Sequence, residues 1–273
     1  MNILQDVQHA LTEDIGSGDV TAALLPVDML THAIIISREP MLVCGQPWVN
    51  GVFSEIDSSI QVNWLVREGS WQSAPTTLCE LHGQVRGILT AERTALNFLQ
   101  TLSGTATQTY FYLQQLDGYH TRLLDTRKTI PGLRQAQKYA VACAGGVNHR
   151  MGLHDAFLIK ENHIKACGSI TAAIVLARQS KQDLFIEIEV ETLDEFREAL
   201  DAKPNRIMLD NFSYQMIEAA VLMNKHGLCE LEVSGNVNLS TIAAIAHTGV
   251  DYISVGALTK SVQAIDLSLL IKD

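Results

Sequence analysis

Cysteine is scarce and poorly placed for pairing. The five residues, Cys44, Cys79, Cys143, Cys167 and Cys229, are odd in number and scattered, and no two form a C-x-x-C step. This excludes a disulfide framework and a structural zinc knot, and predicts buried free thiols in a reducing compartment. No apolar run approaches the roughly 18 residues needed to cross a bilayer. Residues 1–14 have the spacing of an amphipathic helix, with Ile3, Leu4, Val7 and Leu11 on one face. They contain neither the basic start nor the apolar stretch of a secretion signal, so a cytoplasmic protein with no membrane partner is expected. The chain carries no G-x-S-x-G, no Walker loop and no G-x-G-x-x-G, and its nine histidines fall at no metal-ligand spacing. Ala144–Gly145–Gly146 follows no strand pattern and is not a dinucleotide fingerprint. Several common enzyme classes are thereby removed.

What is present is an ordinary globular composition with an unusual distribution of charge. At 273 residues, 47% apolar and 18% charged, the chain can bury one large core or two smaller ones. Between His120 and Lys165, eight Lys and Arg stand against three acids, a local +5 in a chain of −10, so the remainder carries −15. An acidic protein that gathers its cations beside short apolar runs is building a pocket for a small polyanion. The cluster is too local for the broad basic face that nucleic acid requires, and a pI near 5.3 argues against that partner.

Two styles of sequence meet near residue 104. Before it come strand-like runs at His32–Ser37, Ile60–Val66 and Thr77–His82, and Pro47 is placed to open a helix. A helical pattern starts near Thr90, with Ser103–Gly104 as an expected interruption before Ala106–Leu116. After residue 120, strands and helices alternate. Apolar runs at Arg122–Leu124, Ala156–Ile159, Leu184–Val190, Ile207–Leu209, Leu228–Val233 and Tyr252–Val255 are separated by helical patterns, one opened by the Thr192/Glu195 capping box and one by Ser213. Such alternation implies an α/β fold with a parallel sheet. We read residues 1–104 as an N-terminal α/β domain, 105–262 as a β/α barrel, and 263–273 as a tail returning to the first domain.

The strand ends carry the chemistry. Arg127 and Lys128 follow one strand, Lys160 directly continues Phe157–Leu158–Ile159, and Arg150 lies between them. Glu189 and Asp210 end neighbouring strands, with Glu187 and Glu189 sharing a parity. Inward acids are costly unless they meet a cation, a sugar hydroxyl or a metal, so ion pairing with Lys160 or Arg127 is an equal reading. Ser234–Gly235–Asn236 and Val255–Gly256–Ala257 follow the last two strands, where small residues let backbone N–H groups approach a phosphate. His149 and His163 sit in the basic segment and suit hydrogen bonding better than metal ligation. In a β/α barrel all these ends face one mouth, and six clear strands, fewer than eight, imply an incomplete barrel.

Together these segments resemble the quinolinate phosphoribosyltransferases, the carboxylating nicotinate-nucleotide pyrophosphorylases of NAD biosynthesis. The resemblance runs through 11–21 (LTEDIGSGDVT), 91–98 (AERTALNF), 102–107 (LSGTAT), 125–129 (DTRKT), 146–150 (GVNHR), 159–163 (IKENH) and 254–259 (SVGALT). It implies an N-terminal α/β sandwich domain with an incomplete, seven-stranded α/β barrel, and a homodimer with shared active sites. It implies that Arg93 is donated across the dimer interface. Arg127, His149, Arg150 and Lys160 would line the quinolinate pocket, with Lys128, and Thr129 would be a further substrate-binding residue. Glu189 and Asp210 would face the ribose and magnesium (Mg2+), and residues 234–236 and 255–257 would hold the ribose phosphate of phosphoribosyl pyrophosphate. Lys128, Glu189 and Asp210 are the expected catalytic residues, and no organic cofactor is implied. Lys260 stands where many relatives carry histidine. Two other readings fit the scaffold: a pyrophosphorylase-like relative of the kind associated with molybdenum uptake, and a non-catalytic phosphosugar-binding protein. The complete set of inward cations and acids weighs against both.

Overall fold

The structure, a computed structural model, describes residues 2–272. In chain order its elements are α1 (Ile3–Ile15), β1 (Leu30–Ser37), β2 (Met41–Leu42), α2 (Gln46–Ile56), β3 (Gln61–Trp64), β4 (Trp71–Gln72), β5 (Thr76–Gln84) and α3 (Val85–Gln115). There follow β6 (Arg122–Leu124), α4 (Arg134–Cys143), β7 (Phe157–Ile159), α5 (Glu161–Cys167), α6 (Ile170–Ser180), β8 (Ile186–Val190) and α7 (Leu193–Ala202). The last are β9 (Arg206–Asp210), α8 (Tyr214–Met223), β10 (Glu230–Ser234), α9 (Ile242–His247), β11 (Tyr252–Ser254), α10 (Ala257–Lys260) and β12 (Leu267–Lys272). The chain divides into two compact units. One holds the chain up to Tyr110, Thr129–Gly145 and the chain from Ser261 on; the other holds Phe111–Lys128 and Gly146–Lys260.

The first unit is built on an antiparallel sheet in the order β12-β1-β5-β3. Its strands alternate, and Ala33, Ile35, Cys79 and Leu81 turn inward to join one apolar cluster with Trp48, Val52 and Phe53 of α2 and Ile88, Ala95 and Leu99 of α3. Pro47 stands in the first turn of α2, as its fixed φ suggests. In α1, Val7 and Leu11 are buried, but Leu4 is half exposed, so the buried stripe is narrower than the spacing implied. Three of the five cysteines are buried, while Cys143 and Cys167 are half-buried.

The expected break at Ser103–Gly104 does not occur, because α3 runs unbroken from Val85 to Gln115. A Cβ at Gly104 would lie 2.1 Å from the Gln263 carbonyl oxygen. Glycine is there for the close passage of another backbone and not to end the helix. Ser103 is equally committed to packing: its hydroxyl accepts the Cys44 N–H and donates to the Cys44 carbonyl, each at 3.0 Å.

The second unit is a parallel sheet in the order β6-β11-β10-β9-β8-β7. Val147 adds a one-residue parallel bridge on the free side of Leu124, a seventh position in an otherwise six-stranded sheet. Parallel strands need crossovers, and α6 to α9 supply them, burying Ile174, Phe196, Ile217 and Ile242. Thr192 and Glu195 form the reciprocal capping box of α7, and the Ser213 hydroxyl accepts the Met216 N–H at 3.3 Å to start α8. Because all six strands run one way, their carboxyl ends gather the polar residues on one side.

Candidate active site

A cavity of about 240 Å3 opens at those carboxyl ends. Four cations line it, Arg127, Lys128, Arg150 and Lys160, with the acids Glu189 and Asp210 opposite the apolar side chains of Leu158 and Met208. His149 and the hydroxyls of Thr126, Ser234 and Ser254 complete the lining. Two larger clefts, of about 630 and 660 Å3, lie at the amino ends of the strands around Ile186, Asn205 and Glu230. They lack a convergent set of cations, and the chemistry of such barrels sits at the opposite end.

Each cation has a local reason for its position. Thr126 Oγ1 accepts the Lys128 N–H at 3.0 Å, and the Lys128 carbonyl accepts the Thr259 hydroxyl at 2.8 Å. A Cβ at Gly256 would come within 3.0 Å of Lys128 Cδ, so the Val255–Gly256–Ala257 turn lies against the lysine stem. Arg150 is held by the loop behind it. Burial works against the charge of Asp155, but the N–H groups of Met151 (2.6 Å) and Gly152 (3.2 Å) hold its carboxyl below the usual range. Lys160 pairs with Glu189. It also precedes α5, where its own N–H donates to His163 Nδ1 at 3.0 Å, so His163 is a capping residue.

Arg150 is incompletely satisfied. One N–H of its guanidinium reaches the Ala156 carbonyl at 3.2 Å, yet Nε is buried and meets no acceptor among the described residues. Burial, and then the neighbouring Arg127, lower its pKa below the ordinary arginine value. A half-buried guanidinium in that condition is completed by an anion.

Beneath the cavity lies a charged column that the sequence did not disclose. His149 Nε2 stands 2.8 Å from Glu187 Oε2 and 3.5 Å from Glu232 Oε2. Arg206 pairs with Glu232 at 3.1 Å and Glu230 at 2.9 Å, and lies 3.9 Å from the centroid of the Tyr252 ring. Glu232 is wholly buried; burial, and then Glu187, push its pKa up to about 8. Burial likewise raises the pKa of Glu187. Burial opposes the charge of Arg206, but Glu187 and Glu232 hold it protonated. The parity of Glu187 and Glu189 hinted at inward acids. Arg206 and Glu232 left only the weaker sign of charges embedded in apolar strands.

The remaining candidates fall outside the cavity lining. Thr129 Oγ1 accepts Arg134 Nε at 3.2 Å in the first unit. Arg93, also in the first unit on α3, is exposed and pairs with no carboxylate among the described residues. Gly235 has φ +92° and would place a Cβ 2.2 Å from Asn211 Oδ1, while Asn211 and Asn236 both adopt positive φ. Left-handed backbone at three positions in two adjoining loops is strain of the kind that collects at functional sites. For a divalent cation, Glu189 and Asp210 offer hard oxygen donors on neighbouring strands. Glu189 is shared with Lys160 and Asp210 accepts Asn211 Nδ2 at 2.8 Å. Two such acids fit magnesium only if substrate oxygens and water supply the rest of its shell.

Comparison with known proteins decides the family. The profile of the quinolinate phosphoribosyl transferase N-terminal domain matches residues 19–103, and that of the C-terminal domain matches residues 105–270. The chain belongs to the quinolinate phosphoribosyltransferase family. A structure of the nicotinate-nucleotide pyrophosphorylase from Francisella tularensis superposes with a TM-score of 0.96 at 51% identity, covering 99% of this chain and 96% of that one. A probable carboxylating nicotinate-nucleotide pyrophosphorylase of Synechocystis is 40% identical across 97% of this chain and 91% of its own. Quinolinate phosphoribosyltransferase 1b of Nicotiana tabacum, described as decarboxylating, is 40% identical across 97% of this chain and 81% of its own. Human nicotinic acid phosphoribosyltransferase shares the fold alone, at 12% identity and a TM-score of 0.69. The quinolinate phosphoribosyltransferase fold thus pairs the antiparallel-sheet unit with the parallel-sheet unit described above.

Proposed function

We propose that the protein transfers the phosphoribosyl group of phosphoribosyl pyrophosphate to quinolinate with loss of carbon dioxide, forming nicotinate mononucleotide and pyrophosphate for de novo NAD synthesis. The observation that carries this is the half-buried, incompletely bonded Arg150 among three further cations in a small cavity. Quinolinate bears two adjacent carboxylates on a flat ring. Arginine forks and lysines hold such a pair in a defined plane, and Leu158 and Met208 supply apolar surface for the ring. Arg127, Arg150, Lys160 and His149 are assigned to quinolinate, with Thr129 bracing the loop beside them.

The ring nitrogen attacks the anomeric carbon as the bond to pyrophosphate breaks, and positive charge grows on the ribose. Glu189 and Asp210 lie where preorganised negative charge stabilises that state. Lys128 supplies positive charge beside the departing pyrophosphate. When bound, magnesium neutralises the pyrophosphate, held partly by Glu189 and Asp210 and partly by substrate oxygens. Once the nitrogen is quaternary, the ring accepts the electron pair of the adjacent carbon–carboxylate bond, carbon dioxide leaves, and a proton takes its place. No organic cofactor is needed. The loops at Ser234–Asn236 and Val255–Ala257 are assigned to the ribose phosphate.

The exposed Arg93, with no carboxylate partner among the described residues, is assigned to the neighbouring subunit of a homodimer. No helix among the described residues is long and apolar enough to cross a membrane, and we assign the protein to the cytoplasm. The reading is tested by incubating purified protein with magnesium, quinolinate and phosphoribosyl pyrophosphate. Nicotinate mononucleotide, pyrophosphate and carbon dioxide should appear in equal amounts. Mononucleotide formation without carbon dioxide, or no product, would refute it.

A further inference from the structure

We propose that His32, Glu80 and His82 form a binding site for a divalent transition-metal ion of the zinc class, on the outer face of the first unit's sheet. Glu80 and His82 are two residues apart on β5 and share a face, and His32 on β1 is the direct cross-strand partner of His82. The intervening Ala33, Cys79 and Leu81 are buried in the core, which leaves the three donors on the opposite side. One ring nitrogen from each histidine and a carboxylate oxygen of Glu80 lie within 4.8 Å of one another.

Bonds of about 2.0–2.1 Å around tetrahedral zinc separate its donors by roughly 3.4 Å. Side-chain rotation can make up the difference without moving the strands. The present arrangement leaves the donors available. The imidazole rings are stacked at 4.2 Å with planes 8° apart, and His32 Nε2 is buried without a hydrogen-bond partner among the described residues. A buried polar atom left unbonded is costly, and turning the rings out of the stack toward a shared metal would give it a partner. Glu80 makes no ion pair among the described residues. Its side-chain contact is a long hydrogen bond from Asn63 Nδ2 at 3.5 Å, placed to orient the carboxylate. Lys272, opposite His32 on its other flank, is exposed and does not occupy the cluster.

Two imidazoles and one carboxylate suit zinc, nickel or copper better than magnesium or calcium. Three protein ligands also leave a coordination position open for water or a small anion. The site is separate from Glu189 and Asp210, and its occupancy should tie β1 to β5 without altering turnover.

The test is cobalt binding to the full-length protein, followed by visible absorption in the presence of excess magnesium. Wild type should show the strong d–d bands of tetrahedral cobalt, unlike the aqua ion, without thiolate-to-metal charge transfer; the latter would mark instead the group of Cys44, Glu68 and Cys143, whose ligand atoms also lie within 4.8 Å of one another. Zinc should displace the cobalt and raise the melting temperature. His82→Ala and Glu80→Gln should each weaken binding by more than about 100-fold, beyond the roughly 10–100-fold that loss of an outer-shell partner causes, while turnover of the substrates is unchanged. Unchanged turnover also shows that the variants are folded; should His82→Ala fail that check, the conservative Glu80→Gln carries the test. Equal cobalt binding in wild type and the folded variants, thiolate bands alone, or no binding would each overturn the proposal.

Discussion

His149 Nε2 stands 2.8 Å from Glu187 Oε2, while its other nitrogen is already used: Nδ1 accepts the Arg150 N–H at 2.7 Å. The backbone of His149 is anchored as well, its N–H donating to Asp125 Oδ1 at 2.9 Å. The ring is therefore set in one tautomer, and its orientation supports the segment that presents Arg150. Glu187→Ala should destabilise the fold by about 1–3 kcal/mol, the cost of leaving the buried polar groups around it unsatisfied. Glu187→Gln keeps the size and a polar end beside Nε2 and should lose less, about 0.5–1.5 kcal/mol. Urea unfolding of both variants checks this; equal losses would mean that the carboxylate serves only to fill space.

Glu232 makes stability depend on pH. Its pKa rises from 4.5 in the unfolded chain to about 8 in the fold. A group raised in this way contributes stability that is complete below 4.5 and is lost as pH climbs through about 8. Wild type should therefore lose stability relative to Glu232→Gln over that interval, with the difference levelling off above it. Paired denaturation curves across the interval give the readout, and a pH-independent difference would show that Glu232 is ionised throughout.

Much of this arrangement was legible in the chain because it is local. Lys160 continuing Phe157–Leu158–Ile159, and Asp210 ending Ile207–Met208–Leu209, mark strand ends directly, and parallel strands bring such ends together. The Thr192 and Ser213 caps were equally local. Long-range packing was hidden. Gly104 has the look of a helix break, and only the approach of Gln263 explains it. Arg206, Glu230 and Glu232 lie on neighbouring strands, so their mutual neutralisation exists only after the sheet has formed. The strand at Leu267–Lys272 is short, and its pairing with β1 spans most of the sequence.

Gly104→Ala should be destabilising although alanine is the better helix former. The added methyl would meet the Gln263 carbonyl oxygen at 2.1 Å, and backbone cannot move aside as a flexible side chain does. A loss of about 1–3 kcal/mol, the usual range for overpacking, is expected in thermal or chemical unfolding. A stabilised variant would mean that the Ser261–Leu267 segment does not run against α3.

If Arg93 serves the neighbouring subunit, Arg93→Ala and Lys160→Ala should each be nearly inactive alone. Mixed and re-associated, they should recover activity, because a twofold dimer then contains one site with neither change. No recovery from demonstrated heterodimers would place Arg93 in the service of its own chain.

The central claim is that the cavity recognises two adjacent carboxylates and not one. Its most direct test is kcat/KM for quinolinate and for nicotinate, measured side by side with phosphoribosyl pyrophosphate and magnesium. Nicotinate lacks the second carboxylate and would leave a pocket cation such as Arg150 unpaired, so quinolinate should be preferred by about 10^4-fold or more, as for sites built around a lost polar partner. Arg150→Ala should erode that preference mainly through weaker quinolinate binding, by about 2–5 kcal/mol. Comparable turnover of the two pyridines by the wild-type protein would contradict the account.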